Sequence, residues 1–315
     1  MPNDFVLDVD SDLRNADWPK RTPDRLSDLE PTENVHDVSK QKRDKAGQWV
    51  KEGSAEWFKQ FRLKDHAYDT QAAFKYPNSN HYVDERYALH QAIKDAILSE
   101  STPVDNPVAL MLGGGTASGK STLRESGNIE VPENSSTVDL DEIREYLPEY
   151  QDGLARKLAS ASTYVHNECR DIGASVAKSV CSSSRNLISD GTGDGGYDGL
   201  KGRVTNIRNA GLKVVAHYST LPVAEAIKRS DKRAEETGRY VPHHIIRDNH
   251  QSVSTVLPRA VKEHLFDEVH LWDNRGKKPV HVMSQVGGKT EIHNQDLWDE
   301  FLAKAHPDQG AHYAH

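Results

Sequence analysis

Residues 108–122 read VALMLGGGTASGKST, an apolar run that leads into three glycines and ends in Gly-Lys-Ser-Thr. A short apolar run before such a turn predicts a buried strand, and residues 114–121 match the pattern G-x-x-x-x-G-K-[ST] in full. Glycines let the loop bend until successive backbone N–H groups point at phosphate oxygens, and the following helix adds positive potential at its N-terminus. The stretch therefore predicts a phosphate-binding loop between a strand and a helix.

Each residue of this loop is a candidate contact of a bound nucleoside triphosphate. The candidates are Gly114, Gly115, Thr116, Ala117, Ser118, Gly119, Lys120, Ser121 and Thr122. We expect Lys120 to bridge the β- and γ-phosphates of ATP, and Ser121 to ligate Mg²⁺ through its hydroxyl. The pattern indicates nucleotide binding and does not specify how the nucleotide is used.

Short apolar runs alternate with helical periodicity in the second half of the chain. The runs are VALML (108–112), TVDL (137–140), NLIS (186–189), LKVVAHY (212–218) and EVHLW (268–272). Strands that alternate with helices form a parallel sheet covered on both faces. We therefore predict an α/β fold of the P-loop NTPase or kinase type, with a parallel five-stranded sheet covered by helices and an N-terminal helical extension.

Composition divides the chain into four parts. Residues 1–42 are polar and rich in proline, which predicts a flexible arm. Residues 43–105 form an aromatic-rich helical extension that contains an amphipathic helix over residues 84–100. The predicted kinase domain spans residues 106–275, and residues 276–315 add an edge strand, a short helix and a tail. We expect the apolar stripe of the extension to pack on a face of the kinase domain.

Charge and cysteine usage exclude several classes of protein. The formal net charge of -8 argues against a protein that coats nucleic acid. Cys169 and Cys181 lie twelve residues apart on a predicted helix, which is too far for a disulfide. The first residues lack the features of a signal peptide, and no apolar run reaches the roughly 20 residues of a membrane span. We expect a soluble, cytoplasmic protein without a nucleic-acid or membrane partner.

Carboxylates follow two of the predicted strands. Asp139 and Asp141 would reach the carboxyl edge of the sheet beside the phosphate loop. There, one carboxylate can hold Mg²⁺ through water, and another can accept a proton from an attacking hydroxyl. An alternative makes Asp141 only the N-cap of the next helix. Asp190 and Thr192 would emerge at the same edge, where a substrate would lie, although DGTGDGG is also typical of a loop without a ligand.

Arginines and histidines cluster in the stretch IKRSDKRAEETGRYVPHHIIRDNH (227–250). Arginines of a closing lid stabilise the charge of a phosphoryl group in transfer, which makes Arg229, Arg233 and Arg239 candidates, with Arg239 in the Gly-Arg-Tyr break as the best single one. Solvent-facing charge explains each arginine singly as well. The histidines lack zinc-site spacing and are interpreted as surface residues, so we assign no metal besides Mg²⁺.

The phosphate loop, the D-x-D-x-x-R motif (139–144), the strand ending in Asp-Gly-Thr (190–192) and the arginine-rich lid follow one another in this order. Together they resemble the zeta toxin family of P-loop kinases from about Pro107 to about Arg275. The resemblance implies transfer of phosphate from ATP with Mg²⁺ to the 3′-hydroxyl of UDP-N-acetylglucosamine. It also implies toxin-type inhibition of cell-wall synthesis, and an antitoxin that blocks the nucleotide site.

Carried over by residue, the resemblance implies that Asp141 is the general base, with Lys120 and the arginines Arg229, Arg233 and Arg239 around the transferred phosphate. The substrate-contact candidates are Asp139, Glu168, Asp190, Thr192 and Asp194, with Asp171 as a second candidate for the acidic sugar contact. One departure is Asp194, which stands where the best-known members carry an arginine and would repel a substrate diphosphate.

The resemblance therefore supports kinase activity more strongly than it supports a particular substrate. One alternative is a kinase of NAD or of another nucleotide ribose, and a second is an NTP-binding interaction protein without phosphoryl transfer. The partners expected are a small-molecule substrate and either an antitoxin or an intramolecular restraint by residues 1–100.

Overall fold

The computed structural model describes residues 69–76, 79–155, 161–191, 195–237 and 241–306. The predicted arm lies outside these ranges, as does the aromatic-rich beginning of the extension. Within them, none of the helices combines the length and the apolar composition that a membrane span requires.

Helices and strands alternate along the chain as the periodicity predicts. The strands are β1 (Val108–Gly114), β2 (Ser135–Val138), β3 (Asn186–Asp190), β4 (Lys213–Thr220), β5 (Glu268–Asp273), β6 (Val280–Val286) and β7 (Lys289–Ile292). The helices are α1 (Thr70–Phe74), α2 (Asp84–Ser99), α3 (Lys120–Glu125), α4 (Leu140–Glu145), α5 (Pro148–Ala155), α6 (Ala161–Tyr164), α7 (His166–Ser182), α8 (Gly196–Asn209), α9 (Val223–Thr237), α10 (His243–Lys262) and α11 (Gln295–Ala303).

The strands form one sheet in the order β2-β3-β1-β4-β5-β6-β7. The first five pair in parallel, which confirms the predicted fold class, and β6 and β7 add an antiparallel hairpin. The strand expected after residue 276 is β6, but it is not the edge strand that was predicted, because β7, which was not predicted, pairs with its outer side. The tight turn between β6 and β7 consists of Gly287 and Gly288 at φ 58° and 78°, a pair that is typical of a two-residue hairpin.

Both faces of the sheet are covered, as expected for parallel strands. On one face, Ala109 and Met111 of β1 pack in a core with α7, α8 and α10. On the other face, Leu110 and Leu112 pack against Leu123 of α3. This alternation fixes β1 in the middle of the sheet, so the loop that follows it emerges at the centre of the carboxyl edge.

The described part of the extension packs against the kinase core. Ile93 and Ile97 of α2 join the main hydrophobic cluster, and Arg86 of the same helix binds the carboxylate of Glu168 on α7. From residue 69 onwards, the extension therefore contributes buried surface and ion pairs to the domain.

Candidate nucleotide and phosphoryl-transfer site

The phosphate loop has the backbone that its glycines predict. Gly114 has φ 137° and Gly119 has φ 87°, values that disfavour any side chain. Ala117, at φ 59°, is the non-glycine residue of the loop in the left-handed region. Lys120 is the first residue of α3, so its side chain leaves the loop where the helix begins.

Side chains from distant elements hold the loop in this shape. Asn274, after β5, donates to the Gly119 carbonyl at 2.7 Å, and the Ser219 hydroxyl of β4 donates to the Ser118 carbonyl at 2.5 Å. A Cβ atom on Gly119 would collide with the Asn274 amide. The glycine pattern therefore serves packing as well as phosphate contact, and sequence reasoning missed both clamping residues.

His250, like Asn274 and Ser219, holds the phosphate loop by contacting its backbone. The interpretation of His250 as a surface residue was therefore wrong. Its side chain is buried on α10, and Nε2 lies 3.0 Å from the Thr116 carbonyl. Burial lowers the pKa of His250 to about 4, so the ring is neutral at pH 7 and its Nε2–H can donate to that carbonyl. A Cβ on Gly115 would collide with the same ring.

Lys120 lies among the carboxylates that the sequence placed at this edge. It is half-buried, and its Nζ lies 3.4 Å from the Gly114 carbonyl oxygen. Burial lowers the pKa of Lys120, while the charges of Asp190, Asp141 and Asp139 oppose that shift. The structure thus brings the loop lysine and the three predicted acids into mutual electrostatic range.

Asp190 is the most perturbed of these acids. Burial raises its pKa to about 6, and the negative charge of Asp139 adds to the rise, while Lys120 and Arg124 lower it. A carboxyl group that titrates near pH 6 at the end of a central strand is typical of a functional site.

Asp139, and not Asp141, caps α4. Strand β2 ends at Val138, one residue before Asp139, because the Asp139 carboxylate turns to accept the Asp141 N–H at 2.8 Å. The predicted strand through residue 140 is therefore too long, and the alternative of Asp141 as N-cap is wrong. Asp141 occupies the first turn of α4 with 45% of its side chain exposed.

A buried arginine holds Asp141. The guanidinium of Arg144 is 8% exposed and pairs with the Asp141 carboxylate, while its Nη2 lies 3.3 Å from Nδ1 of His166. Its Nε is buried without a hydrogen-bond partner among the described residues. Sequence reasoning registered Arg144 only as a motif position; its spacing three residues after Asp141 on a helix is the feature that indicates contact.

Glu168 and Asp171 have protein partners from the extension. Glu168 is fully buried and binds Arg86 at 2.5 Å and His90 at 2.6 Å. Burial acts to raise its pKa, but the bonds from Arg86 and His90 outweigh it and hold the value near 2. Asp171 accepts hydrogen bonds from Lys75 and two other residues. This geometry gives Glu168 a structural role and leaves no part of it exposed to a substrate.

Two of the three candidate arginines lie within the described residues, on α9. Arg229 binds Glu225 at 3.2 Å, and its Nη1 lies 3.5 Å from the position of a Cβ built on Gly119. The charge of Arg233 contributes to the lowered pKa of Lys120. Both therefore lie near the loop. The other candidates, Arg239, Thr192 and Asp194, lie outside the described residues.

The residues present fit a nucleotide and Mg²⁺. The loop has glycines at positive φ and leads directly into the first turn of α3, an arrangement that directs backbone N–H groups at a phosphate. Ser121 and Thr122 are exposed in the first turn of α3. In the described ranges, no group of three or more His, Cys, Asp or Glu side chains is arranged to hold a metal ion. Mg²⁺ bound through one hydroxyl, waters and phosphate oxygens does not need such a cage.

Three features define a P-loop kinase fold. They are a central parallel strand, a glycine loop held by side chains of later elements, and carboxylates close to the loop lysine. The sequence model of the family described as Zeta toxin matches residues 94–286, more than half of the chain. The chain belongs to the zeta toxin family. The match extends beyond the limits near Pro107 and Arg275 in both directions and includes β6.

Solved structures share the fold at low identity. The PezAT chromosomal toxin-antitoxin system of Streptococcus pneumoniae matches with 20% identity and a TM-score of 0.55, over 70% of this chain and 88% of that chain. The AvrRxo1-ORF1:-ORF2 complex matches with 16% identity and a TM-score of 0.55, over 72% and 75% of the two chains, in its native form and with ATP. No curated protein matches this chain significantly.

Proposed function

We propose that this protein transfers the γ-phosphate of ATP to an alcohol of a small molecule. The observation that supports this most directly is the convergence of Lys120 with Asp139, Asp141 and Asp190 at one edge of the sheet. A loop lysine alone indicates phosphate binding, whereas a carboxylate beside it supplies the proton acceptor that transfer to an alcohol requires.

The loop would bind the triphosphate through its backbone N–H groups, with the Lys120 ammonium on the β- and γ-phosphates. Ser121 would hold Mg²⁺, which, when bound, neutralises phosphate charge. Arg229 and Arg233, which lie near the loop, would stabilise the charge of the transferred group. The ATP complex of AvrRxo1 shares this fold, which supports ATP as the donor.

Asp141 would act as the general base. Its carboxylate accepts the proton of the acceptor hydroxyl while the oxygen attacks the γ-phosphorus, and the bond from that phosphorus to the bridging oxygen of ADP breaks. Arg144 orients the Asp141 carboxylate through its ion pair. Asp190 lies at the same edge and would contact the acceptor, as family resemblance implies for it.

For the acceptor, we propose the 3′-hydroxyl of UDP-N-acetylglucosamine, on the basis of family membership. A second candidate is the ribose of NAD or of another nucleotide. It is favoured by one observation: Glu168, a candidate acidic contact of the sugar, is enclosed by Arg86 and His90. We further propose an antitoxin-type partner, because PezAT is a toxin-antitoxin system. We also propose that the protein acts in the cytoplasm.

The test is to incubate the protein with ATP, Mg²⁺ and a panel containing UDP-N-acetylglucosamine and NAD, and to read products by mass spectrometry. We expect one product with one added phosphate, which Lys120→Ala and Asp141→Asn abolish. Asp105→Asn, at an exposed turn, is the matched control and should retain activity. If Asp141→Asn gave as much product as wild type, the assignment of Asp141 as general base would be refuted. Tight ATP binding without any product would instead indicate an NTP-binding interaction protein.

A further inference from the structure

The C-terminal end of helix α11 contacts the end of strand β4. The helix lies beyond residue 286, where the match to the family model ends. Phe301 anchors it in the main hydrophobic cluster, and Gln251 of α10 donates to the carbonyl of Ala305, just after the helix, at 3.2 Å. The helix is therefore a fixed part of the domain, and its last turn is held close to the carboxyl edge of the sheet.

Lys304, the C-cap residue of α11, reaches the residues that connect β4 to α9. Its Nζ donates to the Thr220 hydroxyl at 2.6 Å and to the Leu221 carbonyl at 2.7 Å. In a regular helix the Glu225 N–H would donate to the Leu221 carbonyl, but here it donates to the carbonyl of Pro222. Lys304 therefore supplies a hydrogen-bond donor to a carbonyl at the very start of α9, and charged donors form the stronger class of such bonds.

The position is unfavourable for a cation that has no specific role. Lys304 is half-buried, and burial lowers its pKa to about 8, although the charges of Glu300 and Asp273 oppose that shift. The ammonium is therefore still largely protonated at pH 7. An apolar side chain of the same length would avoid this desolvation, so the position favours the two hydrogen bonds that a long donor makes.

The connection between β4 and α9 also packs against the phosphate loop. Leu221 is fully buried in a cluster with Ala226 of α9, and Ala117 of the loop packs against this cluster. The next turns of α9 carry Arg229 and Arg233, which lie near the loop. A shift of the connection would therefore displace both arginines relative to the bound phosphates.

A second set of contacts joins α11 to α9 through Arg275. Glu300 of α11 binds the Arg275 guanidinium at 2.6 Å, and Asp273 at the end of β5 binds the same group at 2.8 Å. The Arg275 carbonyl accepts a hydrogen bond from Nη2 of Arg229 at 3.3 Å. Helix α11 thus contacts both the connection before α9 and the residue that holds Arg229.

We propose that Lys304 is a positioning residue for phosphoryl transfer, which holds the connection between β4 and α9 and thereby places the arginines of α9 at the phosphate loop. Lys304 acts through Arg229 and Arg233 and not by contact with a substrate. The proposal rests on the proposed function, which it deepens by assigning a role in the reaction to the C-terminal helix.

The first experiment is a double-mutant cycle read by steady-state kinetics. Lys304→Met keeps the apolar stem but removes both hydrogen bonds, and we expect it to lower kcat about tenfold or more. Affinity for a non-hydrolysable ATP analogue should change less than about twofold, because the side chains that hold the phosphate loop are unaltered. In a variant that carries both Arg229→Ala and Arg233→Ala, adding Lys304→Met should lower kcat little further.

Two further variants separate positioning from a general effect of the substitution. Lys262→Met makes the same change at an exposed position of α10 and should retain the kcat of wild type. Lys304→Gln keeps an uncharged N–H donor and should lie between wild type and Lys304→Met. Unchanged kcat in folded Lys304→Met would overturn the proposal, as would an equal loss of kcat with and without the two arginines.

Hydrogen exchange of the nucleotide-free protein gives a measurement that does not depend on catalysis. Amides of residues 223–230 should exchange about tenfold faster in Lys304→Met than in wild type or Lys262→Met, as expected for the loss of a hydrogen bond that holds the start of α9. If wild type transferred no phosphate, the proposed function would fail, and this measurement would decide whether Lys304 positions α9. Unchanged exchange in Lys304→Met would overturn the positioning role.

Discussion

Replacement of Asp190 by asparagine should stabilise the fold while it impairs phosphoryl transfer. The pKa of Asp190 is raised from 3.8 to about 6, chiefly by burial. For an acid whose pKa is higher in the folded state, the protonated form is the one the fold favours. Stability is therefore lost as pH rises from about 4 to about 6, when the unfolded chain ionises first.

The magnitude follows from this shift. One pKa unit corresponds to about 1.4 kcal/mol. The rise of the pKa from 3.8 to about 6 therefore lowers the free energy of unfolding by about 3 kcal/mol above pH 7. At pH 5 this loss of stability is about half as large, because the Asp190 carboxyl is then largely ionised in the unfolded chain but still largely protonated in the folded protein. Asparagine has the shape of the neutral carboxyl and carries no charge, so it should recover most of that free energy.

The assay is urea unfolding at pH 8 and pH 5. We expect Asp190→Asn to exceed wild type by about 2–3 kcal/mol at pH 8 and by about half as much at pH 5. Asp105→Asn is the exposed control and should change little at either pH. A gain that is absent at pH 8, or that is the same at both pH values, would refute the assigned burial of Asp190.

Three further predictions concern residues whose partners only the structure shows. Arg144→Ala should lower kcat about tenfold to a hundredfold without changing the KM for ATP, because it misorients Asp141; Arg144→Lys should recover part of the loss, and steady-state kinetics would contradict this if KM for ATP rose instead. Glu168→Ala should destabilise the fold by about 1.5–3 kcal/mol, because the buried Arg86 keeps Glu149 as a partner but loses its second carboxylate; Glu168→Gln, which can still accept from Arg86, should recover part of this loss in thermal unfolding, and a Tm unchanged by Glu168→Ala would contradict the pairing. Burial lowers the pKa of His217 to about 3, so the contribution of this residue to the free energy of unfolding should fall by about 1.4 kcal/mol for each pH unit between about pH 6 and its folded pKa; His217→Gln should remove this contribution from the pH dependence measured in urea titrations, and a pH dependence equal to that of wild type would contradict the assignment.

Much of the fold was predictable because its determinants are local. A phosphate loop requires glycines at fixed spacing, and β1 requires only a short apolar run, so residues 108–122 specify both. The parallel order of β1 to β5 follows from the alternation of periodicities. Strand β7 was missed because its four residues are exposed or partly exposed and carry no apolar pattern, although the Gly-Gly turn before it was a usable indication.

The tertiary structure decided which polar residues are free to act. Glu168 and Arg86 are 82 residues apart in sequence, and Asn274 clamps a loop residue 155 positions away. Sequence periodicity reports only which face of an element is apolar, whereas the partner of a charge depends on how distant elements pack. The sequence by itself therefore determined the phosphate loop and the sheet. Only the folded chain showed that Arg86 and His90 enclose Glu168, and that Asp139 is the N-cap of α4.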